Sequence, residues 1–325
     1  MSRKRILSGM QPTQPKLHLG NLAGALSNWV RLQDEYDEFA FVADWHALTT
    51  MVEDPSEISR NSREIVKDYL AAGIDPKRTA VFLQSHVKEH AELHLLFSMV
   101  TPLGWLERVP TYKEKKVAQK TESEPYGLLG YPVLQAADIL MYRPYGVPVG
   151  KDQAPHLELS REIGRRFNHL YDTDLFPEFV NLLGEAPLLL GTDGRKMSKS
   201  YNNGIYLSDS EDEVAKKVKE SFTTPTKMRK TDPGVPENCA VCNLLKVYSK
   251  DWEHQWEEDR QGLRGCSQNK TECVEALNEA LRPIRERRSQ YDDATIEDVL
   301  RDGAERARAV AAETMTKVRE VMGLR

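Results

Sequence analysis

The chain has 325 residues, enough for one large domain or two of ordinary size. Hydrophobic residues make up 40% and charged residues 29%, the balance of a globular protein with a sizeable core. No apolar run reaches about 18 residues, and the basic N-terminus lacks the apolar stretch of a signal peptide. We therefore expect a cytoplasmic protein without a membrane span. The net charge of −5 argues against non-specific coating of DNA but is compatible with a local basic surface.

Strands and helices alternate through the first half of the chain. The predicted elements are a strand at 6–7, a helix at 19–35, a strand at 39–43, a helix that begins with Asp54 as N-cap and Pro55 at its first position and ends at Gly73, and a strand at 80–83. This order favours a doubly wound parallel sheet, an α/β fold. Ligands bind such sheets at the carboxyl ends of the strands, so we expect the chemistry in the loops after Leu7, Val42 and Val149.

Beyond about residue 204 the composition changes to charged, helix-forming stretches. Residues 211–221 and 295–323 are the clearest of these. The pattern predicts a second, mainly helical domain.

The first motif that carries chemistry is HLGN at 18–21, between the first strand and the first helix. A helix N-terminus offers unpaired N–H groups and a positive dipole end to an anion. Gly20 would let a nucleotide approach the backbone, and His18 and Asn21 can donate to phosphate oxygens. His18 could equally be an ordinary helix cap.

The second motif is KMSKS at 196–200, after the turn GTDG at 191–194. Two lysines separated by small residues on a loop can hold a triphosphate and stabilise charge on departing pyrophosphate. The alternative is a solvated basic loop, but the pentapeptide is specific enough to stand as a motif hypothesis.

These two motifs resemble the HIGH and KMSKS motifs of the class I aminoacyl-tRNA synthetases. The resemblance narrows to the bacterial-type tryptophanyl-tRNA synthetase family through four further segments: SGMQPT at 8–13, KEK at 113–115, YPVLQAADIL at 131–140 and VGKDQ at 149–153. It implies a Rossmann-like catalytic domain at 1–204 with a dimerisation segment inserted at about 85–130. It also implies a helical anticodon-binding domain at 205–325, whose last helix packs back on the catalytic domain. A homodimer that charges tRNA(Trp) with L-tryptophan is the implied assembly and activity.

Selection of tryptophan requires an acceptor for a buried indole N–H, which only donates. Asp138 is a lone acid on an otherwise apolar helix and can supply it, and a ligand without that donor would then leave the carboxylate unpaired. A structural salt bridge is the alternative role for Asp138. By resemblance, Tyr131 and Gln153 hold the ammonium group of the substrate, and Gly9 lies in the pocket. The segment 44–46 predicts a pocket rim that includes His46, with a structural role equally open.

Two pocket positions depart from the family pattern. Leu7 stands where the family often has an aromatic residue, and Gln135 occupies a variable position. These two departures affect how the indole ring would pack, but they do not change the predicted reaction class.

ATP would be held by residues from several segments. By resemblance they are Gln11 at the α-phosphate, His18, Gly20 and Asn21 near the nucleotide, Gly150 and Asp152 at the ribose, and Lys115, Lys196, Met197, Ser198 and Lys199 at the β- and γ-phosphates with Mg²⁺. We assign the catalytic roles to Gln11 and the three lysines. The attacking carboxylate of the amino acid is already ionised, so catalysis would come from positioning and charge.

The predicted helical domain carries four arginines and all four cysteines of the chain. The arginines, which suit phosphate or base contacts but also a solvated helix face, are Arg282, Arg285, Arg287 and Arg288. The cysteines are Cys239, Cys242, Cys266 and Cys273. Four thiolates suit a [4Fe–4S] cluster or Zn²⁺, and free thiols remain the third alternative. The spacing resembles that of an iron–sulfur subset of the family, except that Cys242 lies upstream of the expected position.

Three other functions compete with this hypothesis. A tyrosine-specific ligase shares the fold, but the AADIL context of Asp138 fits indole better. A paralogue that binds RNA without charging it should have lost the lysines of KMSKS. A small adenylyltransferase would not need the helical region of about 120 residues.

Overall fold

A computed structural model describes residues 3–109, 112, 125–150, 153–184, 188–198, 201–223 and 227–324. In these ranges five parallel strands form one sheet in the order β3-β2-β1-β4-β5. The strands are β1 (Arg5–Met10), β2 (Asp37–Val42), β3 (Ala80–Leu83), β4 (Gly146–Val149) and β5 (Val180–Leu183). The strand order reverses between β1 and β4, which opens a crevice at their carboxyl ends. The predicted doubly wound parallel sheet is confirmed.

Helices connect the strands. They are α1 (Leu19–Asn21), a π-helical turn (Leu22–Leu26), α2 (Ser27–Leu32), α3 (Asp44–Met51), α4 (Ile58–Ala72), α5 (Glu89–Val100), α6 (Leu103–Leu106), α7 (Tyr126–Met141) and α8 (Ala154–Leu170). A 3₁₀ turn (Gln84–His86) follows β3 directly. The helix predicted at 19–35 is thus one continuous helical run to Leu32 that contains a π-turn.

The start of α4 corrects a prediction. Asp54 is not the N-cap of this helix, because its carboxylate instead accepts the backbone N–H and the hydroxyl of Ser56 in a local turn. The helix begins three residues later than predicted, at Ile58, with Glu57 at the N-cap. Its end agrees with the prediction: Gly73 adopts φ 117°, a left-handed conformation that only glycine takes readily.

The remainder of the described chain is helical. Its helices are α9 (Glu211–Glu220), α10 (Ala240–Tyr248), α11 (Trp252–Gln261), α12 (Cys266–Arg288) and α13 (Asp293–Val321), with a 3₁₀ turn (Pro236–Asn238) before α10. The long α13 runs back to the sheet and packs on β3. Gly303 permits this approach, because a Cβ there would lie 1.9 Å from the carbonyl oxygen of Val81.

The sheet separates two apolar clusters. On β2, Phe39 and Phe41 belong to one cluster, and Ala40 and Val42 belong to the other. A strand that is buried on both faces needs apolar residues at successive positions, which explains the nearly continuous apolar run in the sequence. None of the helices in the described ranges combines the length and apolarity that a bilayer crossing requires.

Glu38 on β2 is a buried carboxyl group that destabilises the fold as the pH rises. Thr79 donates a hydrogen bond of 2.9 Å to one of its oxygens. Burial nevertheless raises the pKa of Glu38 to about 8. Because this value lies above that of the unfolded chain, the stability contribution is complete below about pH 4.5 and is lost as the pH rises through 8.

We expect Glu38→Gln to raise the free energy of unfolding at pH 8 by on the order of a few kcal/mol, because it removes the cost of ionising a buried carboxyl group. Denaturant unfolding of wild type and variant at pH 5.5 and pH 8 measures this. Glu35→Gln is the matched control, since Glu35 has an exposed side chain in a surface ion pair with Arg31. Equal pH dependence for wild type and Glu38→Gln would contradict the assignment.

Candidate active site

A cavity of about 440 Å³ opens in the crevice between β1 and β4. Its walls come from the end of β1 and the turn after it, from α3 and α7, and from the turn between β4 and α8. Nine of the residues predicted from the sequence line it: Leu7, Gly9, Gln11, His46, Tyr131, Gln135, Asp138, Gly150 and Gln153. Residues separated by more than 140 positions in the sequence therefore meet at the carboxyl edge of the sheet, as the fold class predicts.

Asp138 is the central charged group of this cavity. His46 Nε2 lies 2.8 Å from Oδ2, and His90 Nδ1 lies 2.6 Å from Oδ1. Gln84 Nε2 contacts both oxygens, at 2.8 and 2.9 Å. These partners stand on α3, α5 and the turn after β3. An ionised carboxylate has about four acceptor sites, and the one nitrogen of Gln84 is shared between two of them, so a fourth donor can replace one of these shared contacts.

This arrangement corrects the physical argument made from the sequence. A ligand without an N–H group does not leave Asp138 unpaired, because His46, His90 and Gln84 already donate to it. The carboxylate is prepared as an acceptor before any ligand arrives.

Asp138 determines which proton of His90 points to it. An ionised Asp138 only accepts, so the proton on His90 Nδ1 points to it. On the other side of the ring, His90 Nε2 lies 2.9 Å from the hydroxyl of Tyr142. Burial keeps that hydroxyl protonated, since it raises the pKa of Tyr142 well above its usual value. The result is a chain of hydrogen bonds from Tyr142 through His90 to Asp138.

Asp138 is ionised despite its burial. Burial alone would raise the pKa of Asp138, but the hydrogen bonds and charges of His46 and His90 outweigh it and hold the pKa well below its usual range. A permanent negative charge therefore faces an otherwise largely apolar cavity.

The cavity floor depends on a close approach between two strands. Gly9 on β1 lies opposite Phe41 on β2, and a Cβ at position 9 would come within 2.7 Å of the Phe41 ring. Trp29, Ile139 and Val147 add apolar surface around the ring. A flat aromatic ligand could be enclosed here with Asp138 at its polar edge.

The HLGN segment forms a helix cap, which is one of the two roles that the sequence left open for His18. The Nδ1 atom of His18 accepts the backbone N–H of Asn21, and Oδ1 of Asn21 accepts the backbone N–H of His18. Gly20 is close to the second motif, since a Cβ placed on this glycine would lie 3.9 Å from the Cβ atom of Met197. Both motifs therefore lie side by side, although none of their residues that the structure describes lines the cavity above.

The KMSKS loop is held from outside the motif by Asn203. Its side chain accepts the backbone N–H of Ser198 at 2.9 Å and donates to the backbone oxygen of Lys196 at 3.2 Å and to Asp193 at 2.7 Å. Lys196 itself is exposed, and Met197 is buried. Lys115, Asp152 and Lys199 lie outside the described residues.

Three of the four arginines in the predicted helical domain bind within the chain. Arg287 donates to the backbone oxygen of Ala71 at 2.7 Å, and Arg288 donates to Asp68 at 2.7 Å. Arg285 donates to the backbone oxygen of Asp209 at 3.2 Å. These contacts favour a structural role over direct tRNA binding. Arg282 is different, since its exposed side chain pairs only loosely with Glu211 at 3.4 Å.

The four cysteines gather around the start of α10 and one face of α12, but they do not form a ligand set. Cys239 is the N-cap of α10 and accepts the backbone N–H of Cys242, whose sulfur lies 3.7 Å from Nδ2 of Asn269. The cavity beside Cys239 and Cys266 measures about 10 Å³, no more than one water requires. Within the described residues, no group of three or more metal-ligating side chains has an arrangement suited to a metal ion. The described residues therefore do not confirm the predicted [4Fe–4S] cluster or Zn²⁺ at the four cysteines.

Sequence reasoning missed Gln84, His90, Asp68 and Asn203. Gln84 follows β3 directly, and a polar residue at the carboxyl end of a buried strand was the available signal. The other three carried no such signal, because each acts through a partner at least five positions away in the sequence.

Comparison with known proteins identifies the class. A family model described as tRNA synthetases class I (W and Y) matches residues 2–285. The chain therefore belongs to the class I aminoacyl-tRNA synthetases, in the group that handles tryptophan and tyrosine.

Individual relatives identify the family within this class. A tryptophan–tRNA ligase from Thermotoga maritima is 50% identical over an alignment 327 residues long, which covers 98% of this chain and 99% of the relative. One from Aquifex aeolicus is 44% identical, with coverages of 98% and 100%. A crystal structure of tryptophanyl-tRNA synthetase from Campylobacter jejuni, complexed with ADP and tryptophan, has a TM-score of 0.87 and 35% identity and covers 98% of this chain and 100% of that one. The chain belongs to the tryptophanyl-tRNA synthetase family, which confirms the predicted family and reaction class.

The cysteine geometry generates a prediction for anaerobically purified protein. We expect no absorbance near about 400 nm, no stoichiometric iron or zinc, and four thiols that react after denaturation, because the described side chains include no group of three suited to a metal ion and the sulfurs of Cys239 and Cys242 accept hydrogen bonds. Metal analysis and thiol titration of the same sample measure this. Iron with sulfide, or one zinc ion per chain, would contradict it.

Proposed function

We propose that this chain activates L-tryptophan with ATP to form tryptophanyl-adenylate and pyrophosphate, and then transfers tryptophan to tRNA(Trp). The observation that carries the proposal is the ionised Asp138 in the wall of the cavity between β1 and β4. The location in the cytoplasm expected from the sequence belongs to the same proposal.

The indole ring would lie against Phe41 with its N–H directed at Asp138. A neutral indole N–H donates only, and Asp138 retains acceptor capacity beside its three present donors. Phenylalanine has no donor at this position, and tyrosine presents a hydroxyl group at a different distance from the backbone. The fixed charge would therefore favour tryptophan over both.

The amino-acid backbone would lie toward Tyr131 and Gln153. Both line the same cavity as Asp138. Tyr131 precedes Asp138 on α7, and Gln153 is the N-cap of α8, so the two side chains come from different walls. We assign the substrate ammonium group to these two side chains. Gly9 leaves the space beside Phe41 that the ring requires.

ATP would extend from the cavity toward the two phosphate motifs. We assign Gly150, with Asp152, to the ribose and Gln11 to the α-phosphate, since Gly150 and Gln11 line the cavity. His18, Gly20 and Asn21 would contact the phosphate chain. A neutral His18 whose Nδ1 accepts a hydrogen bond carries its proton on Nε2, which can donate to phosphate.

The lysines would stabilise the leaving group. We assign Lys115, Lys196 and Lys199 to the β- and γ-phosphates, together with Met197 and Ser198 of the same loop. Mg²⁺, when bound to the phosphates, would supply further neutralising charge. The carboxylate of tryptophan attacks the α-phosphorus, a new P–O bond forms, and pyrophosphate leaves with the electron pair of the broken bond. No general base is needed, so rate enhancement comes from positioning and charge.

Pyrophosphate exchange with a panel of amino acids tests this function. The wild type should exchange with tryptophan and only weakly with tyrosine or phenylalanine. Asp138→Asn should lower kcat/KM for tryptophan roughly 10- to 100-fold, the cost of one hydrogen bond to a charged group. It should change the value for phenylalanine far less.

Gln135→Ala is the control from the same wall of the cavity, one turn before Asp138 on α7. It should retain the preference for tryptophan. Undiminished tryptophan selectivity in Asp138→Asn would refute the pocket assignment, and wild-type exchange with tyrosine at least as efficient as with tryptophan would refute the substrate.

We also propose that the active form is a homodimer. Large apolar side chains are exposed on neighbouring helices of the segment from α5 to the start of α7: Leu95, Met99, Leu103 and Tyr126. Leu95 and Met99 lie one turn apart on α5 and share a face. A second copy of the chain would cover this surface, in line with the dimerisation segment expected from the resemblance.

Met99→Lys should weaken the dimer at least about tenfold, because it places a charge in an apolar interface. Met99 is 69% exposed, and Met228, at 81% in the helical region, provides the matched control Met228→Lys. Sedimentation velocity over a range of concentrations measures the dissociation constants. A wild type that remains monomeric, or equal dissociation constants for both variants, would contradict the proposal.

A further inference from the structure

The last turn of α12 reaches the segment before HLGN through one buried carboxylate. Asp68 on α4 is fully buried. Its Oδ1 atom accepts from Nε of Arg288 at 2.7 Å, and its Oδ2 atom accepts the backbone N–H of Leu17 at 2.9 Å. Leu17 directly precedes His18, the N-cap of α1. A side chain of the helical region is thus two hydrogen bonds away from the HLGN turn.

The same turn of α12 also supports the chain that follows KMSKS. The backbone N–H of Leu207 donates to the oxygen of Leu17, and the backbone N–H of Leu19 donates to the oxygen of Ile205, both at 2.9 Å. Arg285, three residues before Arg288, donates to the backbone oxygen of Asp209 at 3.2 Å. The segment around HLGN and the segment after KMSKS therefore pair through their backbones, and each of them is attached to α12.

The hydrogen bond between Asp68 and the Leu17 amide depends on the positive charge of Arg288, because Asp68 is buried. Burial raises the pKa of Asp68, and the charge and hydrogen bond of Arg288 oppose this rise. The negative charge of Glu64, the second carboxylate on Arg288, raises the pKa of Asp68 further. Without Arg288, a buried negative charge would have no counterion, and its hold on the Leu17 amide would change.

We propose that Arg288 and Asp68 are positioning residues for ATP, which set the HLGN turn from the helical region by way of the Leu17 amide. The proposal rests on the proposed function, in which HLGN contacts the phosphates. Neither residue touches a substrate. Arg288 and Asp68 act on the geometry of the HLGN turn. Loss of their contact should therefore weaken the binding of ATP and leave the binding of tryptophan unchanged.

The test compares Arg288→Met with Arg282→Met. Arg282 lies on the same helix, is exposed, and loses the same charge. In pyrophosphate exchange, Arg288→Met should raise the KM for ATP roughly 10- to 100-fold and leave the KM for tryptophan within about twofold. Arg282→Met should change neither. Burst titration of active sites separates this pattern from a simple loss of folded protein, which lowers kcat with both KM values unchanged.

A second substitution distinguishes positioning from general destabilisation. Asp68→Asn keeps an oxygen that can accept from Leu17 and removes the charge that needs Arg288. The double variant Asp68→Asn/Arg288→Met should therefore have a lower KM for ATP than Arg288→Met alone. A double variant no better than the single one, or equal ATP KM values for Arg288→Met and Arg282→Met, would overturn the proposal.

ATP binding by calorimetry provides a readout that does not require turnover. The dissociation constant should follow the same order: wild type and Arg282→Met lowest, the double variant intermediate, and Arg288→Met highest. A wild type that does not bind ATP would overturn both this proposal and the proposed function. A wild type that binds ATP while Arg288→Met matches it would overturn this proposal alone.

Discussion

The hydrogen bonds to Asp138 are the constraint on which the candidate site depends. A carboxylate in an apolar interior is stable as an anion only if donors surround it. Here His46, His90 and Gln84 supply them from three different elements. The same bonds that keep the charge in place also tie α3, α5, α7 and the turn after β3 together, so fold stability and the proposed selection of the ligand rely on one group.

A second buried carboxylate, Asp68, follows the same physical rule at the boundary between the sheet and the later helices. Its counterion, Arg288, comes from α12 and its amide donor from Leu17. Arg287 adds a bond to the last turn of α4. The two carboxylates have different proposed roles. Asp138 defines a pocket for the substrate side chain, and Asp68 attaches the helical region to the turn assigned to phosphate binding.

The sequence predicted those features that depend on local pattern. The apolar strands, the glycine at position 73 and the lone acid of α7 each follow from a few neighbouring residues. Asp54 was misassigned as a helix cap because its side chain bonds Ser56 instead. The contacts that His90 and Gln84 make with Asp138 did not follow from local pattern, since these residues lie 48 and 54 positions away and meet it only in the folded chain. The cysteine spacing likewise indicated a ligand set that the side-chain geometry does not form.

The most direct test of the account replaces the indole N–H of the substrate instead of the protein. An alanine derivative that carries a benzothiophene ring has nearly the shape of tryptophan but no donor. In the wild type, we expect its kcat/KM in pyrophosphate exchange to fall roughly 10- to 100-fold below that of tryptophan, because Asp138 loses its fourth donor. In Asp138→Asn the difference should shrink to a few-fold. Equal activation of both substrates by the wild type would contradict the central role of the buried carboxylate.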